Sequence, residues 1–174
     1  MKFQTTIYER VITSTPNTFH MADLKYYNYA GVGEENKKKY SYSQAVRVGD
    51  TIQSVDSGIR ALAKLHLLVK FSGWDPNEGA IPSDIQAQID QAFANVELAL
   101  KTAGGKGWEQ VFSVRSYHLP LNDEALEAVV RNFKTWCPDH QPLWTCVGVQ
   151  RLGRDDMRVE IEVQAFDPEG AKKA

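Results

Sequence analysis

The segment PLWTCVGVQRL, followed by VEIEVQAF, holds the groups in this 174-residue chain best placed to do chemistry. Glu160 and Glu162 alternate with Val159, Ile161 and Val163. A carboxylate on a partly covered strand face can hold or activate a water, because burial raises its pKa towards neutrality. The competing reading of Glu160 is a salt bridge to Arg158, Arg115 or an arginine of another chain, and the residues alone leave both open. Cys146 would be nucleophilic only beside a base or cation that depressed its pKa, and no adjacent histidine supplies one, so packing is its simpler role. The four histidines, His20, His66, His118 and His140, stand apart in sequence and read as solvated or locally hydrogen-bonded. Nothing in their spacing asks for a metal. Walker, GxGxxG, HExxH, CxxC and GxSxG patterns are missing.

The elements that must position these groups follow from periodicity. YSYSQAVRVGDTIQSV reads as a hairpin turning at Gly49-Asp50. SDIQAQIDQAFANVELALKTAGG reads as a helix, with Ile85, Ile89, Ala92, Val96 and Leu100 on one stripe. Ser83 and Gln86 fit a capping box, and Gly104 a stop. WEQVFSVRSYHL alternates like a strand. NDEALEAVVRNFKTWCP gives a second helix with Leu126, Val129, Val130, Phe133 and Cys137 on one face, ended by Pro138. Two strands complete an order of strand, strand, helix, strand, helix, strand, strand. That order predicts an α+β fold: a single sheet with two helices packed on one face. In the last strand Val159, Ile161, Val163 and Ala165 are expected towards the helices, and Arg158, Glu160, Glu162 and Gln164 away from them. If Thr145, Val147 and Val149 also face the helices, Trp144, Cys146 and Gly148 lie on the second face. An aromatic and a thiol there predict that other subunits cover it.

Composition narrows the function classes. A net charge of −2, with a pI near 6.1, gives no electrostatic reason to expect nucleic acid or an anionic membrane. No apolar run is long enough to span a bilayer. Two cysteines, Cys137 and Cys146, do not make a disulfide framework, so a reducing, cytoplasmic location is expected. Residues 1–25 read as a flexible extension, faintly like a mitochondrial presequence, which keeps the mitochondrion as the alternative. Residues 26–166 form the expected domain and 167–174 a flexible tail. Within the domain, SVDSGIRALAKLHLLVKFSGWDPNEG breaks the pattern. Ile59, Leu62, Leu65 and Leu68 suggest a helix inside an insertion around 54–71, packed on its own protein.

Taken together these segments resemble the RidA family, also called YjgF and L-PSP endoribonuclease. YSQAVRVGDTI is similar to its N-terminal hairpin, SGWDPNEG to its S-G-x-x-x-x-D-P-x-x-G loop, and PLWTCVGVQRL with VEIEV to its C-terminal signature. The resemblance covers residues 26–166. It implies a chorismate-mutase-like fold assembled as a homotrimer, with the second sheet faces forming an inner barrel and small-molecule clefts between subunits. It further implies hydrolysis of reactive enamine and imine intermediates to keto acids and ammonia, without metal or organic cofactor.

Residue by residue, the resemblance places the water-positioning glutamate at Glu160. The backbone groups of the loop fall at Ser72 and Gly73, the hairpin tyrosine at Tyr42, and the signature cysteine at Cys146. The arginine that grips the substrate carboxylate falls on Trp144. An indole has one N–H and no charge and cannot replace a bidentate guanidinium clamp, a loss of roughly 1.5–3 kcal/mol. It offers instead a flat surface for an aromatic, neutral or cationic ligand. The insertion makes Ser57-Gly58 a rival for the loop pair. The expected function is therefore an enamine/imine deaminase with altered substrate range. A non-catalytic small-molecule-binding trimer and an L-PSP-type endoribonuclease are the alternatives; the near-neutral charge argues against the latter.

Overall fold

The computed structural model describes residues 24–48, 51–55 and 72–172, with 51–55 as backbone. The helix expected over Ile59–Leu68, the turn Gly49-Asp50, and Ser57-Gly58 lie outside the described residues. The elements are β1 (Lys25–Tyr27), α1 (Val32–Tyr40), β2 (Ala45–Val48), β3 (Thr51–Val55), α2 (Ile85–Thr102), β4 (Val111–His118), α3 (Asp123–Trp136), β5 (Leu143–Gly148), β6 (Val159–Phe166) and α4 (Pro168–Ala171). The strands form one sheet in the order β1-β2-β3-β6-β4-β5. Neighbours run antiparallel except β4 and β5, which run parallel, with α3 as the crossover that parallel pairing needs.

The expected α+β architecture is present, and β6 keeps its expected alternation. Val159, Ile161, Val163 and Ala165 join Ile89, Ala92, Phe93, Val96 and Leu100 of α2 in one core. Phe93 stacks on Trp108 with ring centroids 4.6 Å apart, and the Trp108 indole donates to the Phe93 carbonyl at 2.9 Å. The cap of α2 differs from expectation. Asp84, not Ser83, is the N-cap, and its carboxylate accepts from the Ala87 N–H at 2.8 Å. Gln86 reaches across to Glu124 instead of back to the cap. On α3 the buried stripe is Ala125, Ala128, Val129 and Asn132, while Val130 is exposed. Small residues there let α3 come close to its neighbours, which turns the larger Val130 outward.

Two elements carry little hydrophobic signal and were not expected, β1 and α1; α1 buries only Val32 and Gly33. The tail also departs from expectation. Asp167 is buried and accepts from Arg47 at 2.7 Å, so residues 167–172 begin as a docked turn, not a loose end.

Candidate active site

Register on the sheet decides which groups can meet. β5 pairs with β4 as Val114↔Trp144, Ser116↔Cys146 and His118↔Gly148, and Val114 belongs to the core. Partners across a strand pair share a face, so Trp144, Cys146 and Gly148 face the helices. The expectation that they occupy the second face is overturned, and with it the inference from Trp144 and Cys146 that other subunits cover that face. The Trp144 ring packs edge-to-face on Phe133 of α3, centroids 5.2 Å apart at 72°. A shift of parity by one residue on this edge strand gives Leu143, Thr145 and Val147 to the second face, all exposed.

Beneath the indole lies a polar chain. Trp144 Nε1 donates to Ser116 Oγ at 2.9 Å, and that oxygen is also 2.9 Å from His118 Nε2. Ser116 and His118 are 1% and 0% exposed. Burial pushes the His118 pKa down to about 4, so the ring is neutral at physiological pH. Burial raises the Cys146 thiol, against a smaller lowering by its hydrogen bond with Ser116, which keeps it a thiol and not a nucleophilic thiolate. Cys137 is likewise pushed up, to about 11, by burial and by Glu97. The outer side of the indole borders a hollow lined also by Phe133, Cys137, Pro138 and His140.

Glu160 lies on the opposite side of the sheet, 1% exposed within the single chain. Its neighbours on that face are Tyr117, Glu162 and Arg115. Of the two arginines considered within the chain, Arg115 pairs with Glu162 at 3.0 Å, and Arg158 donates to the carbonyls of Asp155 and Met157. Burial first, then the charge of Glu162, raises the Tyr117 hydroxyl; Arg115 partly offsets this, and Glu160 adds to it.

The S-G loop docks on α2. Ser72 and Gly73 are buried, and a methyl group on Gly73 would overlap the Gln88 backbone. Asn95 donates to the carbonyls of Ser72 and Trp74 at 2.9 Å each. The Trp74 indole donates to Tyr29 Oη at 2.8 Å, and Asp75 closes a turn onto the N–H groups of Asn77 and Glu78. Tyr42 sits ahead of β2, its ring stacked on Tyr40 at 6.4 Å.

Of the six residues expected at the site, Trp144 and Cys146 therefore stand together on the helix side of β5. Glu160 is on the other face of the sheet, Ser72-Gly73 lies against α2, and Tyr42 precedes β2. Ser116, His118 and Tyr117 were not anticipated. The signal was in SVRSYHL, where Ser116 and His118 hold the inward parity of a strand whose other inward residues are apolar. Among the described residues, no group of three or more His, Cys, Asp or Glu is arranged to hold a metal ion, and no helix is long and apolar enough to cross a membrane.

A mixed sheet of this order, backed by two helices and carrying a buried glutamate on its interior strand β6, defines an α+β protein of the YjgF/L-PSP fold. Residues 34–166 match the family model described as Endoribonuclease L-PSP, and the chain belongs to that family. It is 29% identical to the 2-iminobutanoate/2-iminopropanoate deaminase of Escherichia coli K12, over 68% of this chain and 87% of that one. Among solved structures it resembles the YjgF gene product of E. coli, with TM-score 0.58, 26% identity, and 72% and 87% of the two chains covered. It is also similar to Rv2704 of Mycobacterium tuberculosis, a member of the YjgF/YER057c/UK114 family, with TM-score 0.60, 22% identity, and 82% and 98% covered.

Proposed function

We propose that this protein hydrolyses a reactive enamine or imine to the corresponding carbonyl compound and ammonia, with a substrate range altered by Trp144. The chemistry is addition of water to the C=N carbon and expulsion of ammonia from the resulting carbinolamine. Glu160 is the group suited to orient the water and accept its proton. The observation that carries the reading is this carboxylate, buried on a strand face where the motif resemblance puts the family's glutamate, in a chain 29% identical to an iminobutanoate deaminase. Assembly as a trimer belongs to the same reading. In that reading the ligand lies in a cleft between subunits, which one chain alone does not enclose. TdcF of E. coli, a structure of this fold with TM-score 0.57, holds a bound serine, which supports a small amino-acid-like ligand.

The test is ammonia release from imines generated in place by an amino-acid oxidase. Turnover above the spontaneous rate, lost in Glu160→Gln, is expected; no turnover of any imine by the assembled protein overturns the reading. One observation favours a second reading, a non-catalytic binder: Trp144 and Glu160 occupy opposite faces of the sheet. Saturable ligand binding without ammonia release would establish it.

A further inference from the structure

We propose that Ser116 and His118 are positioning residues for Trp144, and that the ligand they select carries an aromatic ring. The proposal rests on the hydrolase reading for its substrate class, imines with an aromatic side chain, but not for its binding geometry. An indole has a single donor. Here that donor is given to Ser116 Oγ at 2.9 Å, so nothing remains with which Trp144 could hold a ligand carboxylate. What it presents is ring surface.

The ring is also fixed. Ser116 Oγ meets both the indole N–H and His118 Nε2, each at 2.9 Å. With His118 neutral, Oγ can accept from both Trp144 Nε1 and His118 Nε2. Turning the indole away would strip a partner from a serine that is 1% exposed and from a ring N–H as well. Phe133 sets the tilt from the other side through its edge-to-face contact at 5.2 Å. The surface left over borders a hollow of about 380 Å³ whose other walls include Phe133, Pro138 and Pro142, with Lys134 also lining it. Flat apolar walls beside one ammonium suit a planar ring bearing an anionic group. A methyl-sized side chain leaves most of such a hollow empty.

Two measurements on the assembled full-length protein test this. The first is quenching of tryptophan fluorescence by phenylpyruvate and by pyruvate, which needs no turnover. Phenylpyruvate is expected to bind about tenfold more tightly than pyruvate. Trp144→Phe, which keeps a ring but loses the N–H that Ser116 holds, should keep only about a twofold preference in a calorimetric titration, and Trp144→Leu should lose it entirely. Equal affinity for the two keto acids, or a preference that survives Trp144→Leu, overturns the proposal. The second is the KM-against-kcat split for the imines of phenylalanine and alanine. Ser116→Ala should raise KM for the aromatic imine roughly fivefold with kcat changed less than about twofold, and Ser116→Thr, which restores a hydroxyl, should recover it. A Ser116→Ala enzyme with unchanged KM, or one that Ser116→Thr does not rescue, removes the positioning role. If neither imine is turned over, the hydrolase reading fails while the quenching arm still decides the ligand class.

Discussion

Position 144 sets two demands against each other. An arginine there could pair with a ligand carboxylate through two charge-assisted hydrogen bonds, whereas the indole satisfies Ser116 and packs on Phe133. Trp144→Arg is therefore expected to raise kcat/KM for the imine of alanine by about tenfold to a hundredfold, the worth of a charged hydrogen bond. The same assay should show the aromatic imine losing ground; no gain on the small substrate would show that something other than the missing guanidinium limits turnover. His118 makes a separate prediction. Its pKa falls from 6.5 unfolded to about 4 folded, so the unfolded chain takes up the proton first as pH drops. The stabilisation from keeping the ring neutral is complete above about pH 6.5 and is lost as pH falls towards 4, a change of about 3 kcal/mol. Urea midpoints at pH 7 and pH 4.5 should fall further for the wild type than for His118→Leu. Equal falls would mean that this imidazole can be charged in place.

At the scale of elements, the C-terminal turn and β2 are joined by a buried ion pair. Arg47 donates to the Asp167 carboxylate at 2.7 Å, to the Asp167 carbonyl and to the Ala103 carbonyl. Burial by itself would raise the Asp167 carboxyl, but hydrogen bonds from Arg47, Gln110 and the Gly170 N–H, with the Arg47 charge, hold it below the usual range. Removing one partner leaves the other charge buried, so Asp167→Ala is expected to cost about 3 kcal/mol in urea unfolding. The paired change Arg47→Met with Asp167→Leu should recover most of it, and additivity of the two single losses would count against a coupled pair. None of this was legible in DPEGAKKA, because a docking carboxylate has no periodicity. Strong periodicity was legible: α2 and β6 lie where their stripes placed them. On β5 the parity failed, since LWTCVG alternates no clearer on one face than the other, and only pairing with β4 fixed it. Short polar α1 and three-residue β1 lacked any pattern to read. Within the site, the separation of Glu160 from Trp144 depends on which way each strand turns its odd residues, which a motif does not state.

For the molecule as a whole, the face of the sheet away from α2 and α3 is unevenly covered. Glu160 and Glu162 are buried on it within one chain, yet Leu143 is 75% exposed, Val147 38% and Phe166 54%. Among the described residues β5 is at the edge of the sheet, next to β4, an edge of the kind that can pair with a second chain. Apolar side chains clustered on one face beside an open strand edge favour association, and a net charge of −2 opposes it little. The proposed trimer predicts that light scattering gives three times the 19.6 kDa chain mass. Because Leu143 and Val147 contribute little to the core of their own chain, Leu143→Asp with Val147→Glu should separate the subunits while far-UV circular dichroism stays unchanged. Burying those carboxylates against apolar neighbours costs several kcal/mol, more than a modest interface withstands. If the cleft lies between chains, ammonia release should fall with the assembled fraction across a dilution series of this variant. Full activity in single chains would place the reaction inside one subunit, and the separation of Glu160 from Trp144 would then exclude their acting on the same ligand.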